Sequence, residues 1–226
     1  MEERWLGTAY SHPDDMSDEV LAANEMTREF YEGFVRERAE RNLSAPREGD
    51  PAPDFAIERL GTDGSREGVF RLADARDRAV ALAFGSYTAT PFRRQLARLD
   101  QVCAEYRDRV DVFAVYIHEA HPNDGWQIEV NRTEGVLYDE PTTMDERAAV
   151  AHDLVSREGL AMPVLLDDMA NEMDRLYAAM PVRLYLIDEQ GTVIFRTVAG
   201  SPGFDVDAWR DAIRRHVDAG AATVGQ

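Results

Sequence analysis

The stretch Ala79-Val80-Ala81-Leu82-Ala83-Phe84-Gly85-Ser86-Tyr87-Thr88-Ala89-Thr90-Pro91-Phe92 decides the reading of this chain. Six consecutive apolar residues, Ala79 to Phe84, predict a strand buried on both faces. Pro91 sits near the first turn of the amphipathic, Arg-rich segment that follows, as a helix start requires. A strand, a tight turn and a helix start aim backbone N–H groups and the positive end of a helix dipole at whatever occupies the turn. A redox protein would hold a reactive thiolate there, because that environment lowers a thiol's pKa. Here the candidate positions hold Tyr87, Ala89 and Thr90, so the turn has no thiol.

The pattern on either side predicts an α/β chain. Residues 1–47 read as an N-terminal helical arm and linker, with Ser17 opening a helix that runs to about Asn42. Asp54 to Ile57 and Phe70 to Leu72 read as a hairpin about the Gly61–Gly64 turn. A helix is expected over 91–107, then a second buried strand from Val112 to Ile117 and an aromatic, acidic loop from Glu119 to Trp126. Thr143 and Glu146 form a capping box for a helix ending near Gly159. Val164 to Leu166 follows as a short apolar segment, and a helix is expected over 168–179. Val182–Ile187 and Thr192–Val198 flank a turn at Asp188–Gly191 and predict an antiparallel hairpin before a last amphipathic helix. This order, βαβ followed by hairpin and helix, is a thioredoxin-like arrangement: a central mixed sheet flanked by helices. The domain is expected over 48–220, with 221–226 as a tail. Met180-Pro181 stands where that arrangement places a cis-proline opposite the active turn.

Composition narrows the chemistry. A length of 226 residues suits one domain with an appendage, and 44% hydrophobic and 30% charged residues fit a globular chain. A net charge of −18 argues against nucleic acid and anionic membrane as partners. All 25 basic residues are Arg, which removes lysine Schiff-base chemistry. The single cysteine, Cys103, removes an internal disulfide and CxxC chemistry. No apolar run reaches the roughly 18 residues of a membrane helix, and Met1–Arg4 does not open a signal peptide. The expected compartment is the cytoplasm, with no cofactor and no metal.

Three segments resemble the iodothyronine deiodinases and their bacterial relatives. Phe84-Gly85-Ser86-Tyr87-Thr88-Ala89-Thr90-Pro91-Phe92 is similar to the family's FGSCTUPPF, in which U is selenocysteine. Val115-Tyr116-Ile117-His118-Glu119-Ala120-His121-Pro122-Asn123-Asp124-Gly125-Trp126 is close to VYIEEAHPSDGW. The segments Pro163–Met169 and Pro181–Tyr185 are similar to the family's VVDTM and ERLYVI stretches. These motifs cover about residues 50–216 and leave the arm outside. The resemblance implies a proton relay matching Ser86, Glu119 and His121, with the selenocysteine position on Ala89, the following Pro on Thr90 and a second Cys on Tyr87. A methyl group cannot be a nucleophile, so the resemblance points to a redox-inactive member.

The candidate catalytic residues are therefore His121 as acid or base, Glu119 as the group orienting it, and Ser86. Tyr87, Thr88, Ala89, Thr90, Trp126, Met180, Pro181 and Arg183 are expected to bind a small aromatic or phenolic molecule. Arg183 would hold a substrate carboxylate or pair with a surface acid. His118, Arg93 and Arg94 read as solvated, and Asp139-Glu140 and Asp167-Asp168 as helix-start carboxylates. His118, Glu119, His121 and Asp124 contain ligand types for zinc or iron, but consecutive loop residues seldom converge on one ion. Two other readings stay open. One is a family oxidoreductase, a reductive dehalogenase or peroxidase, with its reactive residue replaced by Ala89. The other is a non-catalytic interaction module working through the arm. A homodimer is expected.

Overall fold

Seven strands form one sheet in a computed structural model that describes residues 13–75 and 77–224. Readings of the first twelve residues and of the last two lie outside the described residues. The strands are β1 (Ala56–Leu60), β2 (Arg66–Arg71), β3 (Ala79–Gly85), β4 (Val110–Tyr116), β5 (Val164–Leu166), β6 (Arg183–Ile187) and β7 (Val193–Arg196). Their order across the sheet is β2-β1-β5-β4-β3-β6-β7. β3 pairs parallel to β4 and antiparallel to β6, so the turn after β3 sits at the centre of the sheet. β4 and β5 are parallel, while the β1–β2 and β6–β7 hairpins close the two edges antiparallel.

Every residue of β3 is buried, as the apolar run requires. Its alternating side chains divide the core. Ala79, Ala81 and Ala83 face the side where Leu99, Leu154, Trp209 and Ile213 pack, and their small size lets the helices approach. Val80, Leu82 and Phe84 face a second cluster containing Phe55, Phe70, Met173 and Tyr177. The helices are α1 (Asp18–Ala23), α2 (Arg28–Ser44), α3 (Thr90–Arg93), α4 (Leu96–Tyr106), α5 (Glu129–Glu134), α6 (Met144–Glu158), α7 (Glu172–Tyr177) and α8 (Val206–Val224). The capping box on α6 is formed, with left-handed Gly159 ending it.

Several boundaries differ from the sequence reading. The arm is two helices, because Thr27 caps a second start by accepting the Phe30 N–H at 3.1 Å. The helix expected over 91–107 breaks at Arg94–Gln95. Phe92 and Arg93 are both buried, and neighbours on one helix lie about 100° apart. The break lets α3 turn both inward while α4 keeps its own core face. The helix expected over 168–179 shrinks to α7, because the Asp167 carboxylate takes the amides of Asp168, Met173 and Asp174. β1 begins two residues later than expected, and α8 runs to Val224, past the expected domain end at 220.

Candidate functional site

Gly85 begins the turn because nothing larger fits. A Cβ there would lie 2.3 Å from the ring of Phe92. The residues beyond it do not present their amides outward, as a ligand-binding turn would. The Tyr87 N–H donates to the Tyr116 hydroxyl at 3.2 Å, the Thr88 N–H to Glu119 at 2.9 Å and the Ala89 N–H to the Ser86 carbonyl at 3.2 Å. The carbonyls are held as tightly. Arg93 donates to the Tyr87 carbonyl at 2.5 Å, and Asn131 Nδ2 donates to the Thr88 carbonyl at 2.9 Å. Arg93 also reaches Asn131 Oδ1 at 2.9 Å and forms an ion pair with Glu134. It is a buried staple rather than a solvated cation. Thr90 Oγ1 lies 3.3 Å from Asn131 Oδ1. Ala89 is fully buried at the start of α3.

Glu119 is the hub of this arrangement. One carboxylate oxygen accepts the Thr88 amide and, at 2.5 Å, the Thr88 hydroxyl; the other accepts the Tyr116 hydroxyl. Burial pushes its pKa above the usual carboxylate range, against the pull of these donors. The expectation that Glu119 orients His121 is not met. The link between them is the His121 amide, which donates to Thr88 Oγ1 at 3.0 Å. Ser86 is likewise joined to the loop through backbone, its Oγ accepting the Ala120 N–H at 3.2 Å. The three side chains therefore cluster without forming a side-chain relay.

His121 Nδ1 lies 3.2 Å from the Trp126 carbonyl, and its ring meets the Trp126 ring edge-on at 4.5 Å. A carbonyl only accepts, so the proton is assigned to Nδ1 and the lone pair to Nε2. Burial pushes the pKa of this imidazole down to about 4. At neutral pH it is an uncharged hydrogen-bond acceptor.

His121 and Trp126 form one wall of a cavity of about 210 Å³. Ala120 and the cis pair Met180-Pro181 continue that wall, and Ser201 closes an edge. The opposite wall is the arm: Met26, Tyr31, Phe34 and Arg38. Trp126 ties the two together. Its Nε1–H donates to the Asn24 carbonyl at 3.0 Å, and its ring meets Phe30 at 5.6 Å and Phe34 at 6.1 Å. The arm's contribution was not legible as a site, although Met26, Phe30 and Phe34 recur at helical spacing.

Other expected binding residues lie elsewhere. Tyr87 opens onto a separate cleft of about 450 Å³ beside Glu134 and Arg157; its hydroxyl lies 3.3 Å from Glu158, and its ring stacks on Tyr138 at 5.1 Å. Thr88, Ala89 and Thr90 are absorbed in the turn. Arg183, expected at a ligand or a surface acid, lies in the interior of the fold. It is fully buried and donates to the carbonyls of Thr197, Ala178 and Tyr177 and to Asn42 Oδ1 at 2.8 Å.

The loop residues with metal-ligand chemistry diverge. His118 Nε2 pairs with buried Asp174 at 3.2 Å, so it is not a solvated loop residue. Asp124 accepts the Glu140 amide at 3.0 Å. Glu140 accepts the Glu119 amide at 2.7 Å and Asp139 accepts from Asn123, so this pair braces the loop instead of starting a helix. Asp167 and Asp168 do cap the first turn of α7. Among the described residues no group of three or more His, Cys, Asp or Glu side chains could hold a metal ion, and no helix is long and apolar enough to cross a membrane.

The family model of iodothyronine deiodinase matches residues 14–217. The chain belongs to the iodothyronine deiodinase family. Thyroxine 5-deiodinase of Rattus norvegicus is 30% identical over 169 residues, which cover 75% of this chain and 53% of the relative. That of Gallus gallus is 32% identical over 184 residues, covering 79% and 67%. The chain spans about half the length of curated relatives such as the thyroxine 5-deiodinases of Rattus norvegicus and Homo sapiens. The deiodinase match starts at residue 14, so it takes in α1 and α2, which the motifs alone leave outside. Among solved structures, a protein assigned as the thiol:disulfide interchange protein DsbE of Chlorobium tepidum aligns with a TM-score of 0.51 at 24% identity, covering 77% of this chain and 98% of that one. A reduced 2-Cys peroxiredoxin of Plasmodium vivax aligns at 0.50 with 17% identity, covering 76% and 98%. At such identities the likeness carries the fold alone: this deiodinase-family chain has the thioredoxin-like fold.

Proposed function

We propose that this deiodinase-family protein binds a small aromatic or phenolic molecule in the cavity between the arm and the Glu119–Trp126 loop, without thiol or selenol redox chemistry. The observation that carries the reading is the composition of that cavity. Its walls are mostly aromatic and aliphatic, with Arg38 and Ser201 among them, His121 supplies a neutral acceptor, and Ala89, which the motif aligns with the family's nucleophile, is a buried methyl group. Largely apolar concavities with a few polar groups are the usual form of a small-molecule site. Size limits the occupant. An apolar cavity of about 150 Å³ holds benzene, so about 210 Å³ suits one substituted ring rather than two.

In this reading His121 Nε2 accepts the hydroxyl proton of a bound phenol, and proton transfer at the site is confined to that atom. Glu119 and Ser86 serve by fixing the loop that carries His121. The oxyanion of a phenol would gain nothing from the turn, whose amides are already paired. The homodimer and the cytoplasmic location remain parts of the proposal that sedimentation and fractionation would read.

A thermal-shift screen of the full chain and of His121→Ala against phenols, single-ring aromatic acids and iodothyronines tests the reading. A ligand at 100 times its Kd stabilises by about 2.7 kcal/mol, which for a chain of this size is roughly 5–10 °C. A shift of that order from single-ring phenols, reduced in His121→Ala, is expected. Silence from all three classes would refute it.

A further inference from the structure

The arm carries a hydrophobic cluster of its own. Leu21, Tyr31 and Val35 are buried together and pack with Met16, Met26 and Phe34, apart from the two clusters on the faces of the sheet. Arg28 of α2 ties down the start of α1, donating to Asp18 at 3.1 Å and to the Met16 carbonyl at 2.8 Å. A unit held by its own contacts can shift against the domain without opening the domain core. The two ends of this unit meet the domain differently. At the C-terminal end of α2 the contacts are buried. Arg41 pairs with Asp174 at 2.8 Å and Asn42 accepts from Arg183 at 2.8 Å, with Asn42, Asp174 and Arg183 all buried. At the α1–α2 elbow the contacts lie in the open. Glu25 pairs with Arg132, their side chains 60% and 35% exposed. The Asn24 carbonyl accepts the Trp126 Nε1–H at 3.0 Å, and Phe30, 44% exposed, meets the Trp126 ring. Breaking a buried polar bond strands its groups, whereas an exposed ion pair contributes little. Trp126 borders two spaces: the cavity of about 210 Å³ under the arm, and an outer groove of about 540 Å³ beside Glu25, Phe30 and Arg132.

We propose that the arm is a hinged lid. It pivots about Arg41 and Asn42, and the contacts of Asn24, Glu25 and Phe30 with Trp126 and Arg132 are the latch that closes the cavity toward the outer groove. The lever is long enough. Twelve residues separate Phe30 from Asn42 along α2, about 18 Å of helix. A rotation of about 15° about the anchored end therefore carries Phe30 about 5 Å. That parts it from Trp126 and frees the latch while both buried anchors stay made. What the lid admits rests on the reading of the cavity as an aromatic-ligand site; the motion itself does not.

The test is the rate at which a disulfide reagent labels single thiols in the full chain, in a Cys103→Ser background. Met180→Cys places a thiol on the buried cavity wall, and Val115→Cys places one in the centre of the sheet. Ala120→Cys, on the same cavity wall, repeats the reading where Met180→Cys does not fold. Buried thiols label in proportion to the population of the state that exposes them. The cavity thiol should label at least about tenfold faster than the sheet thiol and at least about tenfold more slowly than an exposed cysteine. Arg132→Gln should speed the cavity thiol about threefold, as loss of a surface ion pair allows, and Arg132→Glu should speed it more by repelling Glu25. Neither should change the sheet thiol. Equal rates at the two positions would show that the arm opens only with global unfolding. An exposed-cysteine rate in the cavity would show that the arm does not close it, and a rate indifferent to Arg132 that this contact is no latch. Each of these overturns the lid. Saturating p-cresol should slow labelling of the cavity thiol. No protection by p-cresol, with the response to Arg132 intact, overturns the aromatic-ligand reading and leaves the lid standing.

Discussion

Replacing His121 by Gln should change how stability depends on pH, and in a known direction. The wild-type imidazole titrates near 6.5 when unfolded and at about 4 when folded, because burial opposes its charge. Between those values the unfolded chain binds the extra proton, so folding loses stability as pH falls from about 6.5 to about 4. Above about 6.5 the loss is absent. Integrating from pH 7 down to about pH 4.5 gives a loss of about 2.4 kcal/mol assignable to His121. The raw wild-type profile will hide part of it. Asp167, pushed up to about 6 by burial, contributes in the opposite sense. Its protonated form favours the folded state, so its stabilisation is full below about 3.8 and fades as pH rises through about 6. Subtracting the Gln variant removes Asp167, which both proteins share. Gln can also keep the donor that His121 gives the Trp126 carbonyl. Urea unfolding at pH 7, 5.5 and 4.5 is the assay. The variant should gain about 2 kcal/mol on wild type across that range. Parallel profiles would refute the assignment of a buried, neutral imidazole.

Three further outcomes follow from the same contacts. Trp126→Ala removes a half-buried ring shared by Phe30, Phe34 and His121, and should cost about 3 kcal/mol; limited proteolysis should then cut between α1 and α2 before the domain, and a loss below about 1 kcal/mol would contradict the tie. Glu119→Ala strands the Thr88 amide and two hydroxyls and should cost about 4 kcal/mol, whereas Glu119→Gln keeps an acceptor and should cost about half that; equal urea midpoints would show that the carboxylate is not the hub. Ala89→Cys in a Cys103→Ser background should give a thiol that reacts with a disulfide reagent about tenfold or more slowly than an exposed cysteine, because position 89 is fully buried and burial opposes the thiolate. A fast thiolate at neutral pH would favour the oxidoreductase reading instead.

Local signals carried most of the fold. The apolar runs of β3 and β4, the Thr143–Glu146 box, Gly159 and the Asp188–Gly191 turn each act within a few residues of themselves, so their meaning survives without a structure. The helix breaks were hidden because distant groups decide them: Arg93 turns inward to a carbonyl six residues back, and Asp167 captures amides that a longer helix would use. The same physics obscured the site. His121, Trp126, Met180 and Pro181 were legible from their motifs, and they do meet at one cavity. Arg183 and Glu119 were read as chemistry because charged residues beside a motif invite it; their burial and their several partners are set by distant groups that the sequence does not show. The arm's wall could not be read at all, since helical spacing shows that Phe34 has an inner face but not what that face meets.

The buried Arg183 sets a schedule for folding during synthesis. Its partner Asn42 lies 141 residues earlier in the chain. At about 5–20 residues per second, Asn42 is made roughly 7–28 s before Arg183. For that interval Asn42 lacks the guanidinium that buries against it. The arm is made well before the strand that anchors it and can dock through Arg183 only once β6 exists.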